Sequence, residues 1–288
     1  MFDTEGLSED GIIVDNVWKN YGDVCALAKG FSCNIRRAEN TVLLGSNGAG
    51  KTTLLDLITN NIFPDSGTIK INGIDCRIPE ARKGLRYLPD KSRIPHLCTA
   101  TDMYTEYSLY IDDHSLIDFK KMADEFECLH LVNHYFNKKS KGQQQLLMLS
   151  IVLSGQPSTV ILDEPMDGLD PMNVRKVRKR LNSLKREGCT ILQSSHRIHE
   201  AERQGGRYLI IHDGRICSEG DMADIQKLRK IPKKYVESMN LTVNIICEID
   251  EYVLIKKEYL VEVGNFSFEE IVLPATLEDV YIASLEQR

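Results

Sequence analysis

An α/β fold built on a parallel sheet is the class the sequence predicts, and three observations predict it. Short apolar runs of the buried-strand type alternate with helix-forming stretches, the pattern of repeated strand–helix–strand units. A glycine-rich segment, Gly45 to Thr52, separates one of those strands from an apolar helix. The chain has 288 residues, 42% hydrophobic and 27% charged, which is the composition of a globular protein of one large domain or two smaller ones.

The elements follow in order. Ile12 to Trp18 is rich in β-branched residues, and Phe31, Cys33 and Ile35 alternate with polar neighbours, so an antiparallel β lobe opens the chain. Thr41 to Leu44 is a buried-type strand ending at Gly45. Lys51 to Asn60 carries Leu54, Leu55, Leu57 and Ile58 as a helix with an apolar face. Pro64 to Gly67 is a turn, Thr68 to Ile71 a strand, and Asn72-Gly73 a tight hairpin turn. Leu85 to Leu88 is the next strand. From Thr99 to Phe136 the chain reads as helical, an inserted subdomain with Tyr104, Tyr107 and Tyr110 three residues apart, and Gln143 to Leu153 continues it. Strands Thr159 to Leu162 and Cys189 to Gln193 flank a basic helix, Val174 to Arg186. Tyr208 to Ile211 and Arg215 to Cys217 flank Asp213-Gly214 as a hairpin. Beyond Asp221 a basic segment (Lys227, Arg229, Lys230, Lys233, Lys234) leads into β-rich stretches, Leu241 to Ile249 and Tyr252 to Val263, and a last helix from Leu277 to Leu285. The expected division is a core at 10–220, holding a helical subdomain at about 91–150, and a small α+β accessory domain at 221–288.

Charge and cysteine usage narrow the class. With 42 acidic and 36 basic residues the net charge is −6, which argues against nucleic acid as a partner held by a net positive field. No apolar run approaches the ~18 residues that cross a membrane, and Met1 to Asp10 lacks a basic-then-apolar leader. A cytoplasmic chain is expected. Eight cysteines are scattered with no C-x-x-C pair, so they are expected to be small buried apolar residues rather than metal ligands.

Gly45-Ser46-Asn47-Gly48-Ala49-Gly50-Lys51-Thr52 fits the phosphate-cradling pattern G-x-x-x-x-G-K-[ST]. Its glycines let successive backbone N–H groups point into one concavity, and the following helix adds its positive end, with Thr53 in the first turn. Lys51 supplies a point charge to the β- and γ-phosphates of ATP, and the Thr52 hydroxyl is a Mg²⁺ ligand. The matching acidic strand end is Val160-Ile161-Leu162-Asp163-Glu164. Asp163 is expected to hold the metal and Glu164 to act as general base on water. The pattern predicts a P-loop NTPase (RecA-like) core.

Further motifs carry a resemblance. Lys139-Ser140-Lys141-Gly142-Gln143-Gln144-Gln145 resembles the L-S-G-G-Q signature of ABC-type ATPases. Glu164-Pro165-Met166-Asp167-Gly168-Leu169-Asp170-Pro171 is similar to that family's strand end and D-loop, Ser195-His196 to its switch histidine, and Tyr21 to its adenine-stacking aromatic residue. The resemblance covers roughly residues 10 to 220. It implies a head-to-tail dimer of two such subunits, identical or related, closed around ATP. In it Ser140, Gly142, Gln143 and Asp170 of one chain cover nucleotide bound to the other, and His196 contacts the γ-phosphate. It also implies separate membrane permease chains as partners and a place on the inner face of the membrane. The stretch Leu273 to Tyr281 resembles the tail of the subgroup that serves export of drugs, peptides or polysaccharides.

Three positions in two motifs depart from the family pattern. Lys139 and Lys141 stand where leucine and the first signature glycine are usual, which narrows the backbone and adds positive charge. Asp90 stands where the family has glutamine; it still offers oxygen to Mg²⁺. The segment Arg93 to Tyr110 either lines a groove for a permease helix or packs its own subdomain. The basic run from Lys227 is either a solvated face or a contact with anionic lipid heads. Two other functions share the motifs, a soluble non-transport ATPase of this type and an ATP-gated regulatory module with little turnover.

Overall fold

A computed structural model describes residues 10–90, 97–108, 116–238, 245–249, 251–256 and 272–286. β1 (Asp10–Tyr21) and β2 (Val24–Arg36) open the chain as a long hairpin. β3 (Asn40–Leu44) and α1 (Lys51–Ile58) follow. β4 (Ser66–Ile71) and β5 (Ile74–Asp75) turn at Asn72-Gly73, both at positive φ as a mirror-image hairpin turn requires. Next come β6 (Leu85–Leu88), α2 (Ala100–Ser108), α3 (Leu116–Glu125), α4 (Lys141–Val152), β7 (Thr159–Leu162) and α5 (Pro171–Arg186). β8 (Thr190–Ser195), α6 (Ile198–Gln204), β9 (Arg207–His212) and β10 (Arg215–Asp221) complete the central unit. The chain ends with α7 (Met222–Ile225), β11 (Leu228–Pro232), α8 (Lys233–Ser238), β12 (Ile245–Ile249), β13 (Tyr252–Lys256), β14 (Leu273–Pro274) and α9 (Leu277–Glu286).

Three sheets result among the described residues. The central one has the order β10-β9-β3-β8-β7-β6 and is parallel except for β10. Its strands are nearly continuous apolar runs because both faces are covered. The lobe sheet is β2-β1-β4-β5, and the C-terminal sheet is β12-β13-β11-β14. The parallel register sets Leu44 opposite Ser195, Leu162 opposite Gln193, and Leu88 opposite Leu162. The carboxyl ends of β3, β6, β7 and β8 therefore lie side by side, where open α/β sheets bind ligands.

Alternate residues of the central strands enter different cores. Leu43, Ile161 and Leu192 pack with α1 and with Ile12, Phe31 and Ile35 of the lobe. Val160, Leu162 and Ile191 pack with α4, α5 and the helices after β6. Val42, Leu44 and Ile210 pack under α6 and α7, where Leu277 and Val280 of α9 join them. The C-terminal helix thus lies on the central sheet as well as against its own small sheet.

The stretch from Thr99 is less helical than expected. α3 stops because Glu127 takes a left-handed φ of 56° and Cys128 N–H returns to the Ala123 carbonyl, a helix end that normally announces itself with glycine. Single turns at 129–131 and 136–138 replace the rest. Of the tyrosines there, Tyr104 is buried and stacked on Phe119 with ring centroids 4.8 Å apart, and Tyr107 packs on the same core under the Arg86 guanidinium. That favours subdomain packing over a groove lining. Arg93, Leu109 and Tyr110 lie outside the described residues, as do parts of the two C-terminal β stretches, 241–244 and 257–263. Of the basic run, Lys227 pairs with Asp224, Lys230 with Asp279 and Lys233 with Glu248.

None of the eight cysteines forms a disulfide. Cys76, Cys128, Cys189 and Cys247 are buried as expected, and burial pushes the Cys189 thiol up to about 12. Cys25 departs from the expectation: it is exposed on the β1–β2 hairpin, opposite Asn20.

Candidate functional site

The glycine-rich loop leaves β3 at Gly45 and enters α1 at Lys51, the strand–loop–helix context a phosphate cradle needs. Gly48 and Gly50 are left-handed, at φ 81° and 106°. A Cβ on Gly50 would sit 2.5 Å from the Ala26 carbonyl oxygen, and one on Gly45 would sit 2.5 Å from that of Ile211. The loop is thus pressed between β2 and β9. The Asp213-Gly214 turn closes it from the side, with Gly214 N–H donating to the Ala49 carbonyl. Ser46, Asn47 and Gly48 face solvent. Thr53 is half-buried on the first turn of α1. Lys51 is 6% exposed, and its Nζ donates to the carbonyls of Gly45 at 2.8 Å and Ser46 at 3.0 Å.

Asp163 leaves the end of β7 at 3% exposure. One carboxylate oxygen accepts the Thr52 hydroxyl at 2.7 Å and the other the Ser194 hydroxyl at 2.5 Å. Burial raises its pKa above the ordinary aspartate value, the two hydroxyls pull it down, and the charges of Glu164 and Asp90 push it up again. Asp90 sits two residues past β6, beside the end of β7. Among the described residues no lysine or arginine lies within ion-pair reach of Asp163. A buried carboxylate and a neighbouring hydroxyl, with no protein cation between them, fit a small hard cation such as Mg²⁺. Among those residues there is no group of three or more His, Cys, Asp or Glu side chains arranged for a metal.

Glu164 is placed by strain. Its φ is 48°, and its backbone N–H donates to Ser194 Oγ at 2.8 Å. From there Oε2 lies 2.9 Å from His196 Nδ1, and Oε1 lies 3.7 Å from Lys51 Nζ. His196 stands just past β8. Lys51, Thr52, Asp163, Glu164 and His196 therefore lie together.

The remaining predicted residues stand apart. Ser140 caps α4, its Oγ accepting Gln143 N–H at 3.2 Å while the Gln143 side chain accepts Ser140 N–H at 3.0 Å. Gly142 lies under the loop after Glu164: a Cβ there would meet the Gly168 carbonyl oxygen at 2.7 Å. Asp170 caps α5, accepting the N–H groups of Met172 and Asn173 at 2.9 and 3.0 Å, and those bonds hold its carboxyl below the ordinary value. Tyr21 is 49% exposed at the tip of the β1–β2 hairpin. Among the described residues no hydrogen bond or ion pair joins Tyr21, Ser140, Gln143 or Asp170 to the convergent group.

Two residues escaped the sequence reading. Ser194 joins both carboxylate residues of the β7 end. Gln145 is buried, and its amide donates to the Pro165 carbonyl at 2.9 Å and the Glu164 carbonyl at 3.4 Å. The signal for Gln145 was its place in the Gln143-Gln144-Gln145 run. Ser194 had no signal beyond its nearness to His196.

Comparison with known proteins agrees with this geometry. A family model described as ABC transporter matches residues 28–167. The chain is 34% identical over 210 residues to the Nod factor export ATP-binding protein I of Burkholderia orbicola, covering 71% of this chain and 69% of that protein. It is 31% identical over 292 residues to an uncharacterized ABC transporter ATP-binding protein of Methanocaldococcus jannaschii, covering 94% and 98%. A solved dimeric bacterial ABC transporter cassette is similar at 25% identity with a TM-score of 0.67, covering 73% of this chain and 98% of that one.

Proposed function

Because the chain belongs to the ABC transporter family of ATP-binding proteins, an ATPase family, we propose that it hydrolyses ATP in a head-to-tail dimer that drives a separate membrane permease in export. The observation that carries the reading is the position of Glu164, held between His196 and Lys51 beside the glycine-rich loop. That arrangement favours turnover over a purely regulatory role. Relatives named for Nod factor export, together with the tail from Leu273 to Tyr281, favour export. Among the described residues no helix is long and apolar enough to cross a membrane. In the proposed arrangement a permease in separate chains supplies the path and selects the cargo.

The residues divide the work. Backbone N–H groups from Gly45 to Thr52 and the Lys51 ammonium bind the phosphates of ATP. Tyr21 offers its ring face to adenine. Thr52 and Asp163 would hold Mg²⁺, with Asp90 near it. When bound, that ion supplies charge neutralisation at the phosphate oxygens. Glu164 takes the proton from the attacking water, and His196 holds the carboxylate in line through Nδ1. Ser140, Gly142 and Gln143 present the start of α4, and Asp170 the start of α5, to nucleotide on the partner chain. Among the described residues no carboxylate pairs with Lys138, Lys139 or Lys141, and the three add a positive field near the start of α4 suited to a polyphosphate.

The test is the mass of the full chain in solution. Glu164→Gln keeps an oxygen and loses the base, so with Mg-ATP it should double in mass and turn over ATP at least about 100-fold more slowly than wild type. Lys51→Ala should abolish the doubling. A Glu164→Gln chain that binds ATP yet stays monomeric would count against a dimer of identical chains and point to a related partner.

A further inference from the structure

Ser194 lies outside every motif, yet it touches two of the residues that matter most. It is 1% exposed on β8, next to the end of β7. Its hydroxyl donates to Asp163 Oδ1 at 2.5 Å, and the same oxygen accepts the Glu164 backbone N–H at 2.8 Å. Thr52 holds the opposite oxygen of Asp163 at 2.7 Å. A carboxylate bonded on both sides has one orientation open to it. The peptide that Ser194 holds is a strained one. At φ 48° a non-glycine residue is costly, and such a conformation persists only where its surroundings enforce it.

We propose that Ser194 is a positioning residue of the hydrolytic site. One hydroxyl does two things. It turns the Asp163 carboxylate so that the oxygen beside Thr52 faces the cation, and it holds the Glu164 peptide so that the side chain reaches His196 and Lys51. Ser194 acts through the two residues it bonds, Asp163 and Glu164. Alanine at this position frees Asp163 to rotate and removes the acceptor from a strained peptide. Threonine keeps the hydroxyl and suits a strand. The inference rests on the ATPase reading given above, and its test separates the two.

The experiment compares wild type, Ser194→Ala and Ser194→Thr as full chains. Calorimetry measures binding of a non-hydrolysable ATP analogue with and without Mg²⁺, and steady-state assays give kcat, KM and the Mg²⁺ concentration for half-maximal rate. Ser194→Ala should bind the analogue without Mg²⁺ as wild type does, and should lose about tenfold or more of the gain that Mg²⁺ confers. Its kcat should fall roughly 10- to 100-fold with little change in KM. Ser194→Thr should restore both. Wild-type Mg²⁺ dependence and kcat in Ser194→Ala would overturn the proposal. So would an equal loss of Mg²⁺-free binding, or a collapse of the unfolding midpoint, because either marks a general packing role. If wild type hydrolyses no ATP the functional reading fails, while the calorimetric comparison still decides whether Ser194 orients the metal site.

Discussion

Gly48 and Gly50 lie two residues apart in the phosphate loop and differ in what a side chain would meet. Both have positive φ, but around Gly48 there is open space, whereas at Gly50 a Cβ would strike the Ala26 carbonyl. Alanine at position 48 therefore carries only the dihedral cost, roughly 1 kcal/mol, and alanine at 50 carries that plus a backbone clash, roughly 2–3 kcal/mol in all. Gly50→Ala should lower both the unfolding midpoint and ATP affinity more than Gly48→Ala does, as thermal melts and nucleotide titration would show. The convergence of Lys51, Thr52, Asp163 and Glu164 was legible because each stands in a local pattern: a glycine spacing, or a charge ending an apolar strand. Ser194 was not legible for a geometrical reason. Its bonds exist only because β8 lies beside β7, and nothing in Gln193-Ser194-Ser195 says which strand is the neighbour.

Helix ends account for most of what the sequence concealed about the fold. α5 closes with Gly188 at φ 92° and Cys189 N–H returning to Leu184, and glycine marks that stop openly. The same closure after α3 uses Glu127, so the stretch from Thr99 reads as helix well past its true end. Helix starts are plainer. Asp170-Pro171 opens α5, and Thr276 with Asp279 forms a reciprocal cap on α9. Asp279 also accepts the Lys230 ammonium at 3.0 Å, tying α9 to β11. Burial raises its carboxyl, but the Thr276 and Lys230 hydrogen bonds outweigh that and hold it below the ordinary value. A carboxyl depressed in the folded state stabilises fully above its unfolded pKa, near 4, and the contribution fades as pH falls through the lower folded value. Asp279→Asn should thus cost about 1 kcal/mol at pH 7, and the gap from wild type should shrink below pH 4 in urea titrations at the two pH values.

At the scale of the molecule, the segment beyond Asp221 shares a core with the ATPase sheet. Met222, Ile225, Leu277 and Val280 cover Val42, Leu44 and Ile210, the face of the sheet opposite α1. Uncovering side chains of this size costs roughly 1.5–3 kcal/mol each. A chain ending at Gly220 should therefore melt at least several degrees lower and scatter light on concentration, whereas a freely hinged appendix would leave both unchanged. Strand and helix periodicity made the α+β character of this segment legible. Its docking was not, because the apolar face of a short helix does not name the surface it meets. One contact inside the ATPase unit reaches further than its size suggests. Gln145 bonds the head of α4 to the peptide that carries Glu164, and Gly142 rests on the loop that follows. In the proposed dimer the head of α4 serves the partner's nucleotide while Glu164 serves its own. The two reaction centres are then wired in series through one amide side chain.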